Sequence, residues 1–546
     1  MAYYDLGTYS RKITTSSDEA QLWFDRGLIW TYAYNHEEAI VCFEKAVAAD
    51  ADCAMAHWGI AYAIGPNYNK PWETFEEEEK PDCLELAGQA IAKASALKDR
   101  VSPFERDLIE AIVKRYPEDP AIEEFAPWND AFADAMRGVY KAHSGDTDVS
   151  CLFAEAIMNR TPWQLWDLPS GEPAEGADTL EAIAVLETAF DTIAGAWEHP
   201  GLLHMYIHLM EMSPHPERAL RHGDALSTLV PDAGHLLHMA THIDVLCGDY
   251  QNVVSRNHTA IVADRKFLAA EGADNFYSVY RCHNYHFKIY GAMFLGQPAV
   301  ALATADELIE TIPEDFLAGM ADWFEAFIPM KQHVLIRFGL WSEILAQELP
   351  ADQDLYSVTT AMMHYARTVA LANTGNLAEA EAERDVFLKA RDRVQESRML
   401  FNNTCRDILN VAEHMLLGEL EYHKGNHAKA FEHLRTSVEL DDNLPYDEPW
   451  GWMQPTRHAL GALLIEQGQH EEAEAVYRAD LGLDATLSRA CQHPGNVWSL
   501  HGLHECLSRR GEEAEARQVK LQLDKALARA EVEIKASCYC RQKVAA

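Results

Sequence analysis

WFDRGLIWTYAYNHEEAIVCFEKAVAAD, residues 23–50, carries Trp23, Gly27, Ala39, Phe43 and Ala46 at intervals that decide the fold. Gly27 and Ala39 are twelve residues apart, and Ala39 and Phe43 four. The same two intervals return at Gly418, Ala430 and Leu434 in LGELEYHKGNHAKAFEHL, and at Gly461, Ala473 and Tyr477 in LGALLIEQGQHEEAEAVY. Small residues let two helices approach closely, and the YN, GN and GQ dipeptides between them reverse the chain, so each stretch predicts a helix–turn–helix unit. Weaker copies are marked by Gly296 with Ala301 and Pro313, Gly375 with Ala380, Gly511 with Ala516, Ala219 with Pro231, and Gly248 with Ala260. Strand-like alternation is almost absent, which predicts an all-α chain.

The repeated unit resembles the tetratricopeptide repeat, whose period of about 34 residues is a pair of antiparallel helices. That resemblance implies a single right-handed α-solenoid over residues 1–546. Within it, 66–150 is expected to be an irregular helical insertion region. PNYNKPWETFEEEEKPD reads as an insertion there, and SPFERDLIEAIVKRYPEDPAIEEFAPW has too many prolines for one uninterrupted helix. TPWQLWDLPSGEPAEGAD, 161–178, is a second long loop, and 199–300 holds the histidine-rich repeats.

Composition bounds the function. A formal net charge of −40 excludes partners reached by broad attraction to phosphate, whether nucleic acid or an anionic membrane surface. No apolar run is long enough to span a bilayer. The N-terminal segment lacks the basic stretch and apolar core of a secretory signal, so a cytoplasmic location is expected. The eleven cysteines are odd in number and scattered, apart from Cys538 and Cys540, which does not suggest a disulfide framework.

The histidines follow the repeat. HPGLLHMYIHLME contains His204 and His208, and GHLLHMATHID, 234–244, contains His235, His238 and His242. His238 and His242 stand one 34-residue period after His204 and His208. Side chains four apart on a helix share a face, close enough for two imidazoles to reach one ion. In YRCHNYHFKIYGAMFLGQ, His283 and His286 fall where His235 and His238 fall one repeat earlier, with a 14-residue insertion between. In tetratricopeptide proteins the first helix of each repeat lines the concave face, so the resemblance implies that all seven histidines look into a groove. Imidazole suits copper, iron and zinc alike. Glu211 and Asp244 are candidates to orient the imidazoles, and Glu155, Asn159, Trp58, Tyr62 and Tyr290 to contact substrate or support the site. HMYIH lacks the glutamate that follows the first histidine of zinc proteases, which disfavours peptide hydrolysis of that type.

HPG followed by H-x3-H-x2-E, then PERAL, AGHLLHM-x2-H and HNYHF, is similar to a subfamily of large histidine-rich tetratricopeptide-repeat proteins of undefined activity. Ala240 stands where related sequences tend to carry proline. Two functions are compatible with these features. One is a metal-dependent enzyme, an oxidoreductase or oxygenase if the ion is copper or iron, acting on a small molecule in the groove. The other is a non-catalytic adaptor that holds a peptide or protein partner there. The basic clamp expected for a peptide carboxylate is missing from the groove positions, which favours the first.

Overall fold

Gly27 is bare because Phe43 fills the space beside it: a Cβ there would meet the Phe43 ring at 2.6 Å, and so would one on Gly59. The three residues lie on the successive helices Asp18–Tyr32, His36–Ala49 and Ala54–Ala63, so one ring is held between two bare backbones. The same relation recurs sixteen residues on from Gly418, which faces Leu434, and from Gly461, which faces Tyr477. Gly502, on the next helix, closes on the other side of the Tyr477 ring. The intervals read from the sequence are therefore the steric rule by which one helix nests against its partner.

The computed structural model describes residues 3–77, 79–117 and 124–541. The described residues are all-α in character, built largely from consecutive antiparallel helix pairs. Among the described residues, strand pairing is confined to Met399–Leu400 with Asn403–Thr404 and two isolated bridges. No helix among them is long and apolar enough to cross a membrane. Over 66–150 the described residues form the helices Glu79–Leu97, Pro103–Ile112 and Ala126–Ala142. Ser102 starts the second of these with a capping box to Glu105.

Two of the repeat turns are closed by Gly425 and Gly468, at φ 85° and 74°. There the following amide reaches back to the helix, Asn426 to the Glu421 carbonyl and Gln469 to the Leu464 carbonyl, each at 2.9 Å. In the first pair the equivalent amide, Asn35, reaches the Trp30 carbonyl at 3.0 Å, but the left-handed residue is Tyr34, at φ 55°. An L side chain in that conformation costs on the order of 1–2 kcal/mol.

The chain divides into two compact units. The first comprises Met1–Ile243, Val262–Ala270 and Asn275–Tyr277, and the second Asp244–Ile261, Glu271–Asp274 and Ser278–Ala546. Each is organised about a buried aspartate. In the first, Asp148 accepts hydrogen bonds from the Tyr32 and Tyr9 hydroxyls at 2.5 and 2.7 Å and from Arg11 and His199 at 2.9 and 3.2 Å. In the second, Asp480 accepts from Ser499, Asn496, His493 and His458 at 2.5–3.1 Å. Burial opposes ionisation of both. The hydrogen bonds and positive charge of their partners outweigh it and hold both well below the usual carboxylate range.

A depressed carboxylate contributes stability above its unfolded pKa of about 4 and loses it as the pH falls through the folded value. At milder pH, His458, pushed down to about 4 by burial, and Asp441, pushed up to about 7 by burial, change stability in opposite directions over much the same range. Burial also pushes His204, His286 and His333 down to about 3, and each of them loses stability as the pH falls below its ordinary value, so the urea midpoint is expected to fall between pH 7 and 4. Below pH 4 it should drop steeply, each aspartate contributing up to about 1.4 kcal/mol per pH unit. Asp480→Asn should flatten the drop, and an unchanged slope in that variant would remove Asp480 from this role.

Candidate metal centre

In the first unit, helix Pro200–Glu211 begins with His199, whose Nδ1 accepts from the Leu202 amide at 3.0 Å while its Nε2 donates to Asp148. From this fixed start the helix turns His204, His208 and Glu211 onto one face. Helix Gly234–Cys247 brings His235, His238 and His242 to the same space. All six residues are at most 1% exposed. The groove implied by the resemblance is thus replaced at these residues by an enclosed cluster, because Tyr34, Tyr68 and Trp163 cover it. Tyr34 stands 4.6 Å from the His204 ring, Tyr68 5.0 Å and Trp163 5.7 Å from the His208 ring, centre to centre.

The hydrogen bonds fix the imidazole tautomers. His204 Nδ1 lies 2.7 Å from the Tyr32 carbonyl, which only accepts, so Nδ1 carries the proton and Nε2 a bare lone pair. Glu211 does the same for two rings at once. His208 Nδ1 donates to its Oε1 at 2.9 Å and His242 Nδ1 to its Oε2 at 2.8 Å. Neither His204 Nε2 nor His208 Nε2 has a hydrogen-bond partner. Burial pushes the His204 pKa down to about 3 and that of His208 well below its ordinary value, helped for His208 by His204 and His238. Neutral rings with bare Nε2 atoms are the form in which histidine ligates a metal.

One ligand atom from each of His204, His208 and His235 lies within 4.8 Å of the others, and the same holds for His208, Glu211 and His242. His238 Nε2 is 2.7 Å from His242 Nε2, and the Thr241 hydroxyl donates to the His238 carbonyl. A cavity of about 90 Å³ adjoins the cluster, lined by Tyr34, Asn35, His36, Lys70, Phe276 and Tyr277. The Tyr277 hydroxyl accepts from the His235 amide at 3.0 Å.

Glu155 accepts from the Tyr62 hydroxyl at 2.6 Å, Tyr62 packs on Trp58, and Asn159 ends the helix Thr147–Met158 that carries Glu155. In the second unit, Asp244 pairs with Arg256 at 3.0 Å. There His283 packs on Phe287 and Phe401, and His286 Nε2 meets Met453 Sδ at 2.9 Å. Tyr290 lies against Phe294.

Tyr32, Tyr34, Tyr68 and Trp163 escaped the sequence reading. Tyr32 acts through a backbone carbonyl, which leaves no trace in side-chain identity. Tyr34 and Trp163, at φ 55° and 60°, are two of the three non-glycine residues with positive φ among those described. The third, Phe401 at φ 49°, packs on His283 and His286 in the second unit. Strained backbone beside buried histidines is the kind of cost that persists at functional sites.

The sequence matches no known family model and no curated protein. Among solved structures it is similar to a human IFIT1 dimer (10% identity, 94% of this chain and 92% of that one, TM-score 0.32). It is also similar to yeast Tom70 (12%, 93% and 98%, 0.25) and to a chain of the APC/C hetero-tetramer Cut9-Hcn1 (13%, 91% and 78%, 0.30).

Proposed function

We propose that the first unit binds a single transition-metal ion through His204, His208 and His235, with His242 beside them and Glu211 holding two of the rings. The observation that carries this is the pair of buried, partnerless Nε2 atoms on His204 and His208, whose Nδ1 atoms are both anchored. A buried polar atom without a partner costs about 1–3 kcal/mol, and a bound cation would remove that cost at both atoms together. Three imidazoles leave a coordination position for a small molecule. With copper or iron the reaction class is oxidation of that molecule; with zinc it is attack by an activated water. The second reading, an adaptor that binds a protein or peptide, is supported by the helix-pair architecture and needs no metal.

Elemental analysis of the chain purified without an affinity tag separates the two. Near-stoichiometric copper, iron or zinc is expected, and its loss in His204→Ala/His208→Ala, with the fold checked by near-ultraviolet circular dichroism. Absence of metal even after reconstitution would overturn the metal reading, and its retention by the double variant would overturn the assignment of these two ligands.

A further inference from the structure

The C-terminal segment is fastened to the second unit by contacts on both sides of its two cysteines. The Ser537 hydroxyl donates to the His458 carbonyl at 2.7 Å and meets the Tyr477 hydroxyl at 2.6 Å, and the Ser537 carbonyl accepts from Arg337 at 2.5 Å. Beyond them, Tyr539 packs over Gly339, where a Cβ would meet its ring at 2.5 Å. Arg541 forms a two-pronged pair with Glu505 at 2.7 and 2.8 Å. These anchors deliver Cys538 and Cys540 to Glu419 on helix Cys405–His423, and the two sulfurs and a Glu419 oxygen all lie within 4.8 Å of one another. Glu419 is 2% exposed, and its Oε2 accepts from the Asn373 amide at 3.0 Å.

We infer that Cys538, Cys540 and Glu419 form a second metal site, suited to zinc and open only when the two cysteines are reduced. Two thiolates and one carboxylate are a zinc donor set, with a fourth position left for water. A carboxylate is a poor ligand for copper(I), which speaks against that ion. The structure holds the two cysteines as a disulfide, the closed form. Interconversion is thiol–disulfide exchange with a low-molecular-weight disulfide. Each cysteine sulfur loses a proton, the two sulfurs bond, and the reagent's S–S bond breaks to leave two thiols that take up the two protons and two electrons. Zinc and the oxidant thus compete for the same pair of sulfurs. Carboxylate, tail anchors and cysteines all belong to the second unit, so the site does not depend on the histidine cluster.

Cobalt(II), used in place of zinc, tests this in the full chain, because a thiolate ligand gives an intense near-ultraviolet charge-transfer band that imidazole ligands do not. The reduced chain is expected to show the band and to lose it on adding excess zinc. The chain treated with glutathione disulfide should show none, nor should Cys538→Ser/Cys540→Ser. Glu419→Gln should keep the band at saturation but weaken cobalt binding at least about tenfold, with its fold checked by thermal melting. No band from the reduced chain at saturating cobalt, or an undiminished band in the double serine variant, would overturn the inference.

Discussion

Glu211→Gln is expected to weaken metal binding by about 10–100-fold, the usual effect of removing a group that orients metal-bound histidines. The carboxylate accepts from two imidazoles, His208 and His242, one at each oxygen. A glutamine of the same shape offers one oxygen and one NH2 group. The NH2 group cannot face an Nδ1 that already carries a proton. One ring must therefore move its proton to Nε2, and where that ring is the ligand His208 its Nε2 has no lone pair left for the metal. Packing is nearly unchanged, so the thermal melt without metal should stay close to that of the parent chain. Competition with a chromophoric chelator reads the affinity, and an affinity equal to the parent's would show that Glu211 does not set these tautomers.

Phe43→Ala is expected to cost about 3–5 kcal/mol, at the upper end for core truncation. The size follows from what surrounds the ring. Gly27 and Gly59 present bare backbone on its two sides, so neither offers a side chain to the vacated space. The helices would have to shift as bodies to close it. Urea unfolding followed by circular dichroism measures the loss, and a loss below about 1 kcal/mol would mean that the three helices re-nest without the ring.

The helix pairs were legible because a close approach leaves a two-residue signature, a glycine and a large residue sixteen positions later, that needs no knowledge of distant contacts. His204, His208, His238 and His242 were legible for a similar reason: both the spacing of four and the period of 34 are local properties of helices. Glu211 stood one turn beyond His208 and could be named on that ground. The enclosure of the cluster was not legible. It depends on Tyr34, Tyr68 and Trp163, brought in from segments far away in the chain, and on a Tyr32 carbonyl that any residue could supply. The same limit applies to His286, whose neighbour Met453 lies 167 residues away. Nothing in HNYHF announces a methionine sulfur.

Tyr34 occupies the turn position that Gly425 and Gly468 fill in their own repeats, and it does so at a cost to the backbone. If folding alone were under selection, glycine would be the fitter residue there, since it removes the strain and keeps the turn's hydrogen bond. The tyrosine ring lies against His204, His208 and His235, and a glycine would leave those contacts empty. A descendant chain that gave up the histidine cluster would be free to put glycine in the turn. One that kept the cluster would go on bearing the strain.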